Sequence, residues 1–176
     1  VAHVMGRGLA HAHELGFESV SLEVGHTDDV LRDVLVGHGF EVGDDVVVEA
    51  WLAADDRPQI SALREGYRLS NRVATIDRPH HMINAERGHP DPEPRLRQTS
   101  LYRPDLDLVV HDGNGEVAAY GLFWYDPVSA TGLVEPMRTE DAHQRRGLAR
   151  HVLTTGVALL AEAGATRIKI CFEPDN

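Results

Sequence analysis

The sequence predicts a mixed α/β (α+β) fold, a mostly antiparallel sheet whose meander feeds a β–α–β crossover. Three observations predict it. A helical apolar pattern over 147–164 stops on Gly164 and passes directly into alternating Ile168 and Ile170. The run Asp112-Gly113-Asn114-Gly115 is a strong hairpin turn between two strand-like segments. Residues 1–28 also lie on residues 149–176 without a gap: His3 meets His151, Gly8 meets Gly156, Gly16 meets Gly164 and Leu22 meets Ile170. A helix–glycine–strand punctuation kept at constant offset is the mark of an internal repeat.

The elements follow in order. Val1 to Leu15 is helix-like, Gly16 stops it, and Val20, Leu22 and Val24 alternate as a strand. A short helix over 28–37 starts on Thr27 or Asp28, either of which can cap it. Residues 40–52 read as strand, dense in valine around Val46, Val47 and Val48. Residues 55–65 are polar, contain Pro58 and read as a linker. A strand is expected over 67–73. Two weakly patterned, helix-compatible pieces follow, split by His89-Pro90-Asp91-Pro92. Strands are expected over 106–110, 117–125 and 133–139, then the helix 147–164 and the last strand. The organisation expected is a first partial copy over 1–54, a linker over 55–65 and a second copy over 66–176, both copies incomplete.

Composition sets limits. The 176 residues carry a net charge of −11, which excludes a general nucleic-acid binder needing a basic face. No apolar run reaches the ~18–20 residues of a membrane span, and no signal-peptide pattern opens the chain. The single cysteine, Cys171, allows neither a disulfide nor a cysteine-based zinc site and is expected to be a buried strand residue. A cytoplasmic protein is the simplest expectation. Its ends, Val1 and Asn176, do not read as natural termini.

The informative stretch is Glu135-Pro-Met-Arg-Thr-Glu-Asp-Ala-His-Gln-Arg-Arg-Gly-Leu-Ala-Arg150. A strand ends, an arginine-rich turn follows, and a helix begins. The free N–H groups and positive dipole at a helix start bind anionic phosphate. Gly147 allows close approach of the backbone, and Arg138, His143, Arg145, Arg146 and Arg150 make a local basic cluster. These features read as a pyrophosphate seat. It is not a P-loop, since the Gly-Lys-Ser/Thr ending is absent, nor a dinucleotide fingerprint, since only one glycine is present.

Gln144-Arg145-Arg146-Gly147-Leu148-Ala149 fits Gln/Arg-x-x-Gly-x-Gly/Ala, and with the strand before and the helix after it the chain resembles the GNAT (Gcn5-related N-acetyltransferase) superfamily over 66–176. The two-copy layout is similar to tandem-domain acetyltransferases of the mycothiol synthase type. The resemblance implies a GNAT-like mixed, mostly antiparallel central sheet with flanking helices. It implies acetyl-CoA as the acetyl donor, held by Gln144, Arg145, Arg146, Gly147, Leu148, Ala149 and Arg150 around the pyrophosphate and by the backbone of Met137 and Thr139 along the pantetheine arm. It places the amide that polarises the thioester carbonyl at Met137. The acceptor expected is a small molecule with a primary amine. Glu135 is the carboxylate expected to take the amine's proton, on the ground that it shares strand parity with Met137 and Thr139; the alternative is a structural carboxylate paired with Arg138. Glu140 is set aside as a turn residue. The family's general-acid tyrosine would lie beyond Asn176, and Leu35 stands at the matching place in the first copy. The alternative to an enzyme is a non-catalytic acyl-CoA-binding or scaffolding module.

Other features are set aside. His80, His81, Glu86 and His89 have no i, i+4 ligand pair and are expected on a solvated, substrate-side surface, with no metal. His11 and His13 cannot share a helix face. Tyr120 and Phe123 are expected in the core, and Trp124 and Tyr125 in the core and partly in an acceptor wall. Gly6-Arg7-Gly8 sits inside the first helix and imitates a phosphate loop by chance.

Overall fold

The structure, a computed structural model, describes residues 2–84 and 87–174. Val1, Glu86 and Asn176, which entered the expectations above, lie outside the described residues. The chain divides into two compact units, Val1–Asp45 and Val46–Asn176.

The first unit holds two helices, α1 (Ala2–Glu14) and α2 (Asp29–Gly37). Asp28 caps α2, its carboxylate accepting from Leu31 N at 3.0 Å. Gly39 takes a left-handed φ of +88° just past the helix, and Phe40 N donates back to Leu35 O. The strand expected at Val20, Leu22 and Val24 is not formed. These residues have the right alternation, but the described residues of this unit include no neighbouring strand to take their backbone groups.

The second unit is built on a six-stranded sheet in the order β1-β6-β5-β4-β3-β2. The strands are β1 (Val48–Ala53), β2 (Arg68–Asn71), β3 (Asp107–His111), β4 (Val117–Asp126), β5 (Thr131–Thr139) and β6 (Arg167–Phe172). Only β5 and β6 pair in parallel; every other neighbour is antiparallel. That is the mixed, mostly antiparallel fold class the sequence predicts. β1 starts eight residues later than the run expected from position 40, and it joins this sheet by pairing with β6.

The turn between β3 and β4 forms where Asp112 places it. Its carboxylate accepts from Asn114 N and Glu116 N, and Gly115 supplies the left-handed residue. Between β5 and β6 runs α4 (Leu148–Ala163), which buries Leu148, Val152, Val157 and Leu160 against Leu108, Val110, Ala119, Phe123 and Val134. Gly156 lets Phe123 lie directly on the helix backbone. Segment 55–65, expected as a linker, is tied to α4: Ser61 N donates to Thr154 Oγ1 at 3.0 Å, and Ser61 O contacts His151 Nδ1.

The opposite face of the sheet is covered by the irregular run 72–106, whose only α-helix among the described residues is α3 (Glu93–Leu96); a 3-10 turn, Pro104–Leu106, closes it. Arg72 holds this run together. Its guanidinium donates to the carbonyls of Thr75, Ile76 and Arg78 and pairs with Glu93. Burial alone would raise the Glu93 carboxyl, but Arg72 and Arg97 outweigh it and hold the group below its ordinary value.

Candidate functional site

The site grows from the end of β5. Its parallel pairing with β6 runs from Thr131↔Arg167 to Val134↔Ile170 and then stops, although β5 continues to Thr139 and β6 to Phe172. The two strands therefore part beyond Val134. At the same level β5 bulges against β4. Phe123 faces Val134 and Gly121 faces Met137, so Glu135 and Pro136 together oppose Leu122. Trp124 Nε1 donates to Glu135 O at 2.7 Å, fixing the bulge from the open face.

The bulge corrects the parity argument for Glu135. A strict alternation would put Glu135, Met137 and Thr139 on one side. The extra residue resets the count, so Met137 packs against the core while the Glu135 side chain is exposed. Glu140, set aside from the sequence as solvent-facing, is partly buried and pairs with Arg87 at 2.5 Å and with Arg138 at 3.5 Å.

After β5 the chain passes through a 3-10 turn, Asp141–His143, and then enters α4. Arg145 (φ +58°) and Gly147 (φ +79°) both take left-handed conformations. Gly147 offers no side-chain cap, and the first helical bond inside α4 is His151 N to Gly147 O at 3.1 Å. The amides of Leu148, Ala149 and Arg150 thus lack intrahelical acceptors. A Cβ built on Gly147 would meet nothing within 4 Å, so open space lies beside it. Gln144, Arg145, Arg146, Gly147, Leu148, Ala149 and Arg150 are contiguous at this helix start, with Met137 and Thr139 on the strand leading to it. The open space and free amides fit a bound pyrophosphate.

The turn is braced by contacts the sequence did not suggest. Arg146 Nη1 donates to Tyr67 Oη at 2.7 Å, Tyr67 Oη lies 3.0 Å from His143 Nδ1, and Arg146 Nη2 donates to Ala142 O. Two members of the basic cluster are thereby held in place, whereas the Arg145 and Arg150 side chains are exposed. No local pattern links Tyr67 to this turn; only the fold brings them together.

A family model, the acetyltransferase (GNAT) family, matches residues 71–176. The chain belongs to the GNAT acetyltransferase family. Solved GNAT structures agree on the fold. A GCN5-related N-acetyltransferase from Sphaerobacter thermophilus superposes with a TM-score of 0.62 at 16% identity, over 85% of this chain and 49% of that one. A tandem GNAT protein from the clavulanic acid biosynthesis pathway gives 0.65 at 17% identity, over 97% of this chain and 62% of that one. A glucosamine N-acetyltransferase region of a fungal multi-domain β-N-acetylglucosaminidase gives 0.56 at 14% identity, over 93% of this chain and 24% of that one. The chain thus spans about half the length of the Sphaerobacter protein. No curated protein matches it significantly. Family and fold associate this GNAT domain with acyl transfer in general, and acetyl-CoA is the donor GNAT enzymes generally use. Among the described residues no helix is long and apolar enough to cross a membrane.

Two of the histidines set aside depart from expectation, while His89 is exposed as expected. His80 and His81 are buried rather than solvated, and both face Asp107, which is fully buried on β3. Tyr102 Oη donates to the same carboxylate at 2.7 Å. Burial would raise the Asp107 carboxyl, but hydrogen bonds from His80 and Tyr102, with the His81 imidazole close by, hold it well below the usual carboxylate range. Cys171, expected buried, is half-buried on β6.

Proposed function

We propose that this GNAT domain is an acetyl-CoA-dependent N-acetyltransferase that acetylates a primary amine of a small molecule, in the cytoplasm, by direct attack. The observation that carries the reading is the parting of β5 from β6 after Val134↔Ile170, next to an uncapped helix start. When bound, acetyl-CoA would supply a thioester: the amine nitrogen would form the new amide bond at its carbonyl carbon while the C–S bond breaks and coenzyme A leaves, its thiolate taking a proton from water. The amides at 148–150 hold the pyrophosphate, and Arg145, Arg146 and Arg150 add positive charge. The backbone of Met137 and Thr139 pairs with the pantetheine arm along the unpaired stretch of β5. The Met137 amide stabilises negative charge developing on the carbonyl oxygen. Glu135, exposed at the bulge, accepts the proton released by the amine, directly or through water.

The gap-free offset between residues 1–28 and 149–176, together with the 97% coverage by the tandem GNAT structure, supports reading the chain as parts of two GNAT-like copies. The test of function is calorimetric titration with acetyl-CoA, followed by a thiol-release assay against polyamines, amino sugars and amino acids. Binding with turnover on at least one amine is expected. Binding without any turnover would replace the enzyme by an acyl-CoA-binding module, and no binding would remove both.

A further inference from the structure

His80, His81 and Asp107 form a cluster with no part in the site above. His80 and His81 come from the irregular run 72–106, and Asp107 opens β3. His80 Nε2 lies 3.0 Å from Asp107 Oδ2, and His81 Nε2 lies 2.9 Å from Asp107 Oδ1. The three side chains are 0–3% exposed, and one ligand atom from each lies within 4.8 Å of the others.

The His81–Asp107 contact is the informative one. At 2.9 Å it has the length of a charge-assisted hydrogen bond, yet it is misaligned. His81 Nε2, His81 Nδ1 and Asp107 Oδ1 have no hydrogen-bond partner among the described residues. Buried polar atoms are seldom left so. A ring nitrogen and a carboxylate oxygen that stand close, without aiming at each other, are arranged to share a third atom. Two imidazoles and one carboxylate are the donors that first-row divalent ions take. Tyr102, donating to Asp107 Oδ2, is the outer hydrogen bond that orients a ligating carboxylate.

We propose that His80 Nε2, His81 Nε2 and Asp107 bind a divalent transition-metal ion of the zinc class, pinning residues 80–82 to β3. Two contacts must give way. Met82 N donates to His80 Nδ1 at 3.2 Å, and the proton-bearing His80 Nε2 hydrogen-bonds Asp107 Oδ2 at 3.0 Å, so coordination at Nε2 moves the ring proton to Nδ1 and trades both hydrogen bonds for a coordinate bond. The site is separate from the β5–α4 turn, and it stands whether or not the chain transfers acetyl groups.

The test is a Zn²⁺ titration of the whole chain against a chromogenic chelator, with metal analysis after dialysis. One equivalent of Zn²⁺ per chain is expected. His81→Gln and Asp107→Asn should each weaken binding by more than roughly 100-fold, beyond the 10–100-fold lost with an outer-shell partner. The exposed-histidine control His89→Gln should bind as wild type. X-ray absorption of the zinc-loaded wild type should show two imidazole ligands, and this keeps the test decisive if the variants do not fold. A wild type that holds no zinc, binding unchanged in His81→Gln and Asp107→Asn, or a zinc spectrum without two imidazoles would each overturn the proposal.

Discussion

Phe123 lies so close to Gly156 that a Cβ on the glycine would stand 2.0 Å from the ring's Cζ. The ring is fully buried between the sheet and α4. Here a helix glycine, ordinarily a cost relative to alanine, is required by packing. Gly156→Ala should destabilise the fold by about 1–3 kcal/mol through overpacking, and Phe123→Ala by about 3–5 kcal/mol through a cavity. Urea unfolding measures both. A Gly156→Ala protein as stable as wild type would show that the ring is not held where it is described.

Gly147 separates two effects. At φ +79° any side chain is strained, so Gly147→Ala should lose some stability but keep acetyl-CoA binding, because the space beside it is open. Gly147→Glu adds bulk and negative charge at the amides proposed to hold pyrophosphate. Its affinity should fall beyond calorimetric detection while its fold, checked by circular dichroism, persists. Equal affinities for the two variants would place the pyrophosphate elsewhere.

Glu135 can be tested by splitting kinetic constants. If it takes the amine's proton, Glu135→Gln should lower kcat by about 10²–10⁴-fold and leave acetyl-CoA affinity unchanged. Activity equal to wild type would assign the proton to water or to another group.

Acid stability should report on Glu93. Its carboxyl is held below the ordinary value of 4.5, so the folded protein binds fewer protons there than the unfolded chain. This contribution is present above about pH 4.5 and is lost as pH falls through the lower folded value. Glu93→Gln leaves Arg72 buried without its anion and should cost about 3–5 kcal/mol at neutral pH. The difference from wild type, followed by thermal unfolding, should shrink in acid. A difference independent of pH would mean that the pair carries no net charge interaction.

Much of the fold was legible because its signals are local. The periodicity of Leu148, Val152, Val157 and Leu160, the stop at Gly164 and the Asp112–Gly115 turn each act within a few residues. The helix start at Gly147 was legible for the same reason. The shared parity of Glu135 and Met137 fails because a bulge is invisible to a count of alternation: one extra residue against Leu122 reverses every later side. His80 and His81 were misread as surface because residues 72–106 bury polar groups through an Arg72–Glu93 pairing and an Asp107 cluster. Those contacts join distant positions and leave no period in the sequence. The strand expected at Val20–Val24 failed for the opposite reason. Its pattern is sound, but a strand exists only where another takes its hydrogen bonds.

The pairing of β1 with β6 also has a consequence in time. Trp51 and Lys169 are register partners, about 120 residues apart, and a ribosome adding ~5–20 residues per second needs roughly 6–24 s to cover that distance. Throughout that interval the segment bearing Trp51 has no neighbour to zip onto. The nascent chain must therefore carry an unsatisfied, partly apolar edge until nearly the last of these residues has been made, and this stretch is where a chaperone would find its client.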